Sequence, residues 1–320
     1  MLLAVLQLRR SFSCSRCNMT ASNVRVGVLF AVSAYFLWGF APIYFKLIDS
    51  VSADEIMVHR VIWSTLLLAL IVLIFGKYQE FAKALSNKHA MQRLFITATF
   101  LGTNWFLFIW AVNNDHLLDA SLGYYINPLF SVALGVVFLN ERLSKWQLCA
   151  VLLAVIGVLI QLVMLGTLPV ISLALAGTFG IYGLLRKKLP INSFVGLLIE
   201  SLFMLPIALV YWMLFVSSDT SNLFTNTISL NLLLACAGIV TTAPLLCFTA
   251  AAKRLTLSTL GFFQYIGPSI MFVLATFYYQ EPYQEEKLLT FGFIWAALII
   301  YSLDSVRQHK RKRKAQKANA

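Results

Sequence analysis

The sequence predicts an all-α polytopic membrane protein, with ten transmembrane helices arranged as two inverted five-helix repeats. Three observations carry this reading. Apolar residues make up 60% of the 320-residue chain and charged residues only 12%, about half the charged share of a soluble domain. The apolar residues fall into blocks of about 20, the length that crosses a ~30 Å hydrocarbon core at 1.5 Å per residue. The second half of the chain also repeats the first.

The repeat is seen residue against residue. Gly123-Tyr-Tyr-Ile-Asn-Pro128, followed by Glu141, returns as Gly261-Phe-Phe-Gln-Tyr-Ile-Gly-Pro268, followed by Glu281. Thr103 aligns with Thr241, Gly39 with Gly177 and Tyr44 with Tyr182, all at a spacing of 138. That period is far longer than the 20–50 residues or so of a solenoid repeat. Each half holds five spans, and an odd number reverses the sense in which the second half crosses the membrane. Inverted halves are how many secondary transporters build one site between two similar bundles.

Residues 24–165 form the first repeat and 166–304 the second. The first repeat carries spans at Val24–Ile48, Asp54–Phe75, Leu94–Asn113, Leu117–Leu139 and Trp146–Leu165. The second carries Thr167–Leu185, Ile191–Val216, Leu230–Ala252, Leu257–Tyr279 and Leu288–Asp304. Residues 1–23 are a leader rich in Arg and Ser and free of acids. That composition fits an organelle transit peptide, and fits equally an upstream start codon with Met19 the true initiator. The second reading is preferred, and the leader is expected to be disordered under both.

The net charge of +12 follows topology rather than nucleic acid. Of the 25 basic residues, 22 lie in the leader or at its junction with the first span (Arg25), in alternate connections and in the tail 305–320; only Lys46, Arg60 and Lys287 lie elsewhere. The intervening connections are acidic or neutral. By the positive-inside rule both termini are cytoplasmic. The run Lys310–Lys314 directly follows a span, so it reads as a cytoplasmic anchor on anionic membrane lipid. Cys14 and Cys17 have metal-ligand spacing but no second pair or nearby His to complete a set, so no metal and no cofactor is expected.

Several enzyme and pump signatures are absent: G-x-x-x-x-G-K-[ST], H-E-x-x-H and G-x-S-x-G do not occur. The chemistry must then lie in polar groups within spans. Pro128 and Pro268 each fall about eleven residues into a span, ~16 Å along it. A helix proline removes the bond to the carbonyl four residues back, which frees Tyr124 and Gln264 at one depth. Unpaired carbonyls are tolerated in a membrane only against protein or a wet cavity. Pro42, Pro128, Gly267 and Pro268 are therefore the expected helix breaks. Glu200 is an acid within a span, where charge costs at least ~2.5–3.5 kcal/mol. It suits proton coupling or pairing with substrate; the structural alternative is a Glu200–Arg60 clasp between spans 2 and 7.

These residues resemble the RarD (chloramphenicol-sensitive protein) branch of the EamA-type drug/metabolite transporters. The resemblance is carried by Pro42-Ile-Tyr44-Phe-Lys46, His59-Arg60-Val-Ile-Trp63-Ser64, Asn104-Trp105 and Gly123-Tyr-Tyr-Ile-Asn127-Pro128. In the second half it is carried by Phe179-Gly-Ile-Tyr182-Gly-Leu-Leu-Arg186, Glu200 and Gly261-Phe-Phe-Gln264-Tyr265-Ile-Gly-Pro268. It covers about Val24 to Asp304 and implies ten helices in two five-helix halves, a central cavity and alternating access. Gly267 departs from the pattern, which has a bulkier residue before the proline.

Together these observations predict a secondary transporter, an exporter of a small organic metabolite or drug across a bacterial inner membrane. Tyr44, Arg60, Asn104, Tyr124, Asn127, Tyr182, Glu200, Gln264 and Tyr265 are expected around one cavity. The alternatives are a non-transporting membrane scaffold or receptor, and a membrane enzyme acting on lipid-linked substrate.

Overall fold

The computed structural model describes residues 21–114, 116–165, 169–216, 218–280 and 285–318. Among them are ten helices long and apolar enough to cross a membrane, and no strand. The first five are α1 (Ala21–Lys46), α2 (Ala53–Ile74), α3 (Lys88–Asn113), α4 (Leu117–Leu139) and α5 (Lys145–Leu165). They are followed by α6 (Val170–Lys188), α7 (Ser193–Phe215), α8 (Ile228–Ala252), α9 (Leu257–Tyr278) and α10 (Glu285–Ala318). Leu29, Leu73, Ile207, Met213 and Leu232 are exposed on the outside of the bundle, as lipid-facing side chains are.

Helix ends differ from the hydropathy blocks where polar residues cap or continue a helix. α3 starts at Lys88 rather than Leu94, because the Asn87 side chain accepts from the Ala90 N–H at 3.1 Å and satisfies one of the free donors of the first turn. A polar helix, Tyr78–Ser86, connects α2 to α3. α10 continues beyond Asp304, so residues 305–318 are helical. α1 begins at Ala21, which moves residues 21–23 from the expected leader into the first helix. The rest of the leader, with Met19, and also Glu281, lie outside the described residues.

Packing follows a pseudo-twofold relation in which each helix of the first half matches the one five places later. α1 packs on α8 and α9, and correspondingly α6 packs on α3 and α4. α2 packs on α8, and α7 on α3. Three contacts join equivalents directly: α2 with α7, α4 with α9, and α5 with α10. The inversion shows in Tyr44 and Tyr182, equivalent in the repeat. Each lies in the last turns of its helix, and α1 and α6 end on opposite faces of the bundle. The face holding the connections after α2, α4, α6 and α8 is basic, and the other is acidic.

At two crossings a glycine meets the backbone of another helix too closely for any side chain. A Cβ on Gly238 of α8 would lie 2.6 Å from the Trp63 carbonyl carbon of α2. One on Gly261 of α9 would lie 2.8 Å from the Pro128 carbonyl oxygen of α4. Only a residue without a side chain lets these backbones approach, a usual device between membrane helices.

Candidate functional site

A cavity of about 190 Å³ lies between the two halves, lined from α1, α2, α3, α4, α6, α8 and α9. Its residues come from the last turns of α1 and α3 and the first turns of α2 and α4, so it lies toward the acidic end. Five expected residues line it: Arg60, Asn104, Tyr124, Asn127 and Gln264, along with Gly267 and Pro268.

Arg60, in the second turn of α2, donates from Nε to Thr241 Oγ1 of α8 at 2.8 Å. Its guanidinium carbon lies 4.9 Å from the centre of the Trp105 ring, a separation at which a cation is attracted to the ring face. Asn104 Nδ2 donates to the Leu175 carbonyl and to Thr178 Oγ1, both at 2.9 Å, which ties α3 to α6. Asn127 Oδ1 is buried without a donor. Trp38, Phe108 and Phe179 supply much of the apolar wall.

The other four expected residues do not line this cavity. Tyr44 donates to the Leu233 carbonyl at 2.9 Å and joins α1 to α8. Tyr265 is fully buried; its hydroxyl donates to the Tyr125 carbonyl at 3.2 Å, and its ring packs with Phe262, Tyr301 and Ile294.

Tyr182 and Glu200 belong to a second polar cluster, toward the basic end. Glu200 is the eighth residue of α7 and fully buried. It accepts from Thr97 Oγ1 of α3 at 2.5 Å and from the Tyr182 hydroxyl of α6 at 3.3 Å. Its charge is met by Arg186 Nη1 at 3.4 Å, not by Arg60. Hydropathy had placed Arg186 in a basic connection at the surface. The fold buries it completely, in space that a Cβ on Gly196 would occupy. Between this clasp and the cavity, the rings of Tyr182 and Phe248 stack with centres 6.1 Å apart.

The four expected breaks are also unequal. α1 continues through Pro42 and α4 through Pro128, because one missing bond leaves the flanking turns intact. α9 alone is interrupted, at Tyr265. The Tyr265 N–H there donates three residues back, to Phe262, at 3.2 Å. Gly267 beside Pro268 weakens the following turn further, since glycine is a poor helix former. α9 then ends in a π turn, Leu274–Tyr278.

Sequence reasoning overlooked Thr241 and Thr97. The first had a signal, since it repeats Thr103. A threonine such as Thr97, within an apolar run, had none.

Two inverted five-helix halves around a shared cavity, with an apolar outer surface, define a multi-pass membrane protein of the transporter class. Residues 25–163 match the EamA-like transporter family. The chain belongs to the RarD family of EamA-type transporters. It is 51% identical to Protein RarD of Escherichia coli K12, over 92% of this chain and all of that one. It is 52% identical to a Vibrio cholerae protein named "Uncharacterized transporter", over 92% of this chain and 97% of that one. A Pseudomonas aeruginosa relative named "Chloramphenicol-sensitive protein RarD" is 30% identical, over 88% and 95% of the two chains. One solved crystal structure, 16% identical, shares the fold with a TM-score of 0.68, over 88% of this chain and 98% of its own.

Proposed function

We propose that the protein is a secondary transporter, an exporter of a small organic solute across the bacterial inner membrane by alternating access, with both termini in the cytoplasm. One observation carries this reading. A polar and aromatic cavity lies between the inverted halves toward the acidic end, with packed rings and the Glu200–Arg186 clasp on its basic side. A site nearer one face, with packed side chains between it and the other, is what one state of an alternating-access cycle requires. Under the positive-inside rule the acidic end is periplasmic, so this is an outward-facing state. The driving gradient is that of an ion or of the solute itself. Glu200, clasped by Arg186, serves in this reading to hold the cytoplasmic seal.

Purified protein in liposomes loaded with a bacterial metabolite extract tests it, with mass spectrometry of what leaves. Selective, protein-dependent loss of solutes, abolished when Ala120→Phe fills the cavity, is the expected result. Retention of every solute, or equal leakage through Ala120→Phe, would favour the scaffold or receptor reading. Chemical conversion of a lipid-linked component would favour the enzyme reading.

A further inference from the structure

Among the described residues the cavity is lined by one cation and no acid, and this bears on what it carries. Among the described residues the ion pairs are Glu55–His59, Lys77–Glu80, His116–Asp119 and Arg186–Glu200. Arg60 is in none of them, and no Asp or Glu among the described residues lines the cavity. The acids nearest in sequence to Arg60 are engaged elsewhere. Glu55 Oε2 accepts from Thr220 Oγ1 at 2.7 Å and from Ser218 Oγ. Asp54 accepts from the Tyr211 hydroxyl at 3.3 Å.

Arg60 nevertheless has a fixed pose. Nε is held by Thr241, and the guanidinium plane is steadied by Trp105. The one hydrogen-bond contact of its Nη atoms among the described residues is to the thioether of Met57, at 4.0 Å. A guanidinium presents five N–H donors in a fork that matches an oxyanion, so most of its capacity remains open to the cavity. A solute that displaces the cavity's water would leave this charge without a partner, which is costly, and an anionic solute would offset that cost. A bound cation would add to it.

Two further features narrow the class. Trp38, Trp105, Phe108 and Phe179 offer flat apolar surface on three different helices, which suits an aromatic body. Asn127 Oδ1, buried without a donor, calls for an O–H or N–H on the solute. An ammonium in its place would have no carboxylate to pair with. The volume of about 190 Å³ falls below the ~300–1,000 Å³ of drug-sized pockets, so the solute is small.

The geometry points to a small aromatic acid as the cargo: a carboxylate on the Arg60 fork, the ring among the tryptophans and phenylalanines, and a hydroxyl or N–H facing Asn127. This assignment deepens the transport reading and rests on it for direction, but not for binding.

The test separates the two. Binding to the purified full chain is measured by calorimetry and thermal shift with 4-hydroxybenzoate, its neutral amide, benzoate and the cation tyramine. The acid is expected to bind and raise the melting temperature, with the amide and tyramine weaker by about 10- to 100-fold, as loss of a charge-assisted pair implies. Benzoate is expected to fall between. Arg60→Lys should weaken binding of the acid and Arg60→Gln should remove it, while Asn127→Leu should erase the advantage of 4-hydroxybenzoate over benzoate. If Arg60→Gln fails to fold, the charge series on the unmodified protein and Arg60→Lys still decide. Equal binding of the amide or tyramine, no binding of either acid, or unchanged affinity in Arg60→Lys and Arg60→Gln would overturn the assignment. Arg60-dependent binding with no flux in liposomes would sink the transport reading and leave the ligand class standing. Flux of neutral or cationic solutes unaffected by Arg60→Lys would do the reverse.

Discussion

Glu141 holds the start of α9 through Ser258. One carboxylate oxygen accepts from the Ser258 backbone N–H at 2.9 Å and from its hydroxyl at 2.7 Å, while the other accepts from the Leu257 N–H at 2.6 Å. An acid contributed by the first repeat thus caps a helix of the second, where free N–H groups and the helix dipole favour negative charge.

Removing this cap has a definite cost. Glu141→Ala is expected to lower stability by about 1.5–3 kcal/mol, the usual worth of a hydrogen bond to a charged group, and Glu141→Gln by less. Thermal melts in detergent measure it. A melting temperature for Glu141→Ala equal to that of the unmodified protein would show that the cap contributes nothing.

The Glu200–Arg186 clasp makes a different prediction from the Glu200–Arg60 clasp, the structural alternative in the sequence. Breaking a buried pair leaves a lone charge, so Glu200→Gln should cost about 3–5 kcal/mol. Adding Arg186→Met should recover part of the loss, and adding Arg60→Gln should recover none. Flux through the surviving Glu200→Gln protein should keep its pH dependence. Recovery by Arg60→Gln, or altered pH dependence at normal stability, would return Glu200 to the role of coupling residue.

Gly238→Ala probes the crossing of α2 and α8. The new methyl would meet the Trp63 backbone and force the helices apart, an overpacking cost of about 1–3 kcal/mol. Arg60 lies one turn before Trp63 and Thr241 one turn after Gly238, so the Arg60–Thr241 bond should lengthen. Weaker binding of an acidic ligand together with a lower melting temperature is expected. A variant that melts and binds normally would mean that the crossing of α2 and α8 has room for a methyl group at Gly238.

Orientation can be read by labelling. In a background lacking the native cysteines, single cysteines at Asn114 and Asn222 should react in intact cells with an impermeant thiol reagent, and ones at Asn87 and Lys145 should not. The opposite pattern would turn the protein over in the membrane, and with it the assignment of an outward-facing state.

The ten crossings were legible because burial in lipid imposes a length and a composition that hydropathy measures directly. The repeat was legible because duplicated packing keeps residues such as Gly123 and Gly261 in register. The site was legible only in part. Arg60, Asn104, Asn127 and Gln264 are polar in apolar runs, and the cavity explains their presence. Arg186 was misplaced because a window average assigns a charged residue at a helix end to water. Its burial depends on the hollow at Gly196, a three-dimensional fact. Pro128 and Pro268 look alike in sequence, yet only α9 is interrupted, since the outcome depends on the neighbouring turns rather than on the proline alone.

The grip of Glu141 on α9 also constrains how the molecule can move. Pinned at its first residues by Glu141 and pressed against α4 where Gly261 meets Pro128, the first third of α9 is bolted to the opposite half. A rigid see-saw of one repeat against the other would have to tear both fastenings. The slack in α9 lies beyond them, at Tyr265 and in the π turn that ends the helix. In the proposed transport cycle the stretch from Gly267 to Tyr278 would then be the swinging arm, with its pivot beside the cavity. Mobility probes placed on Met271 and on Leu260 should report motion at the first and stillness at the second.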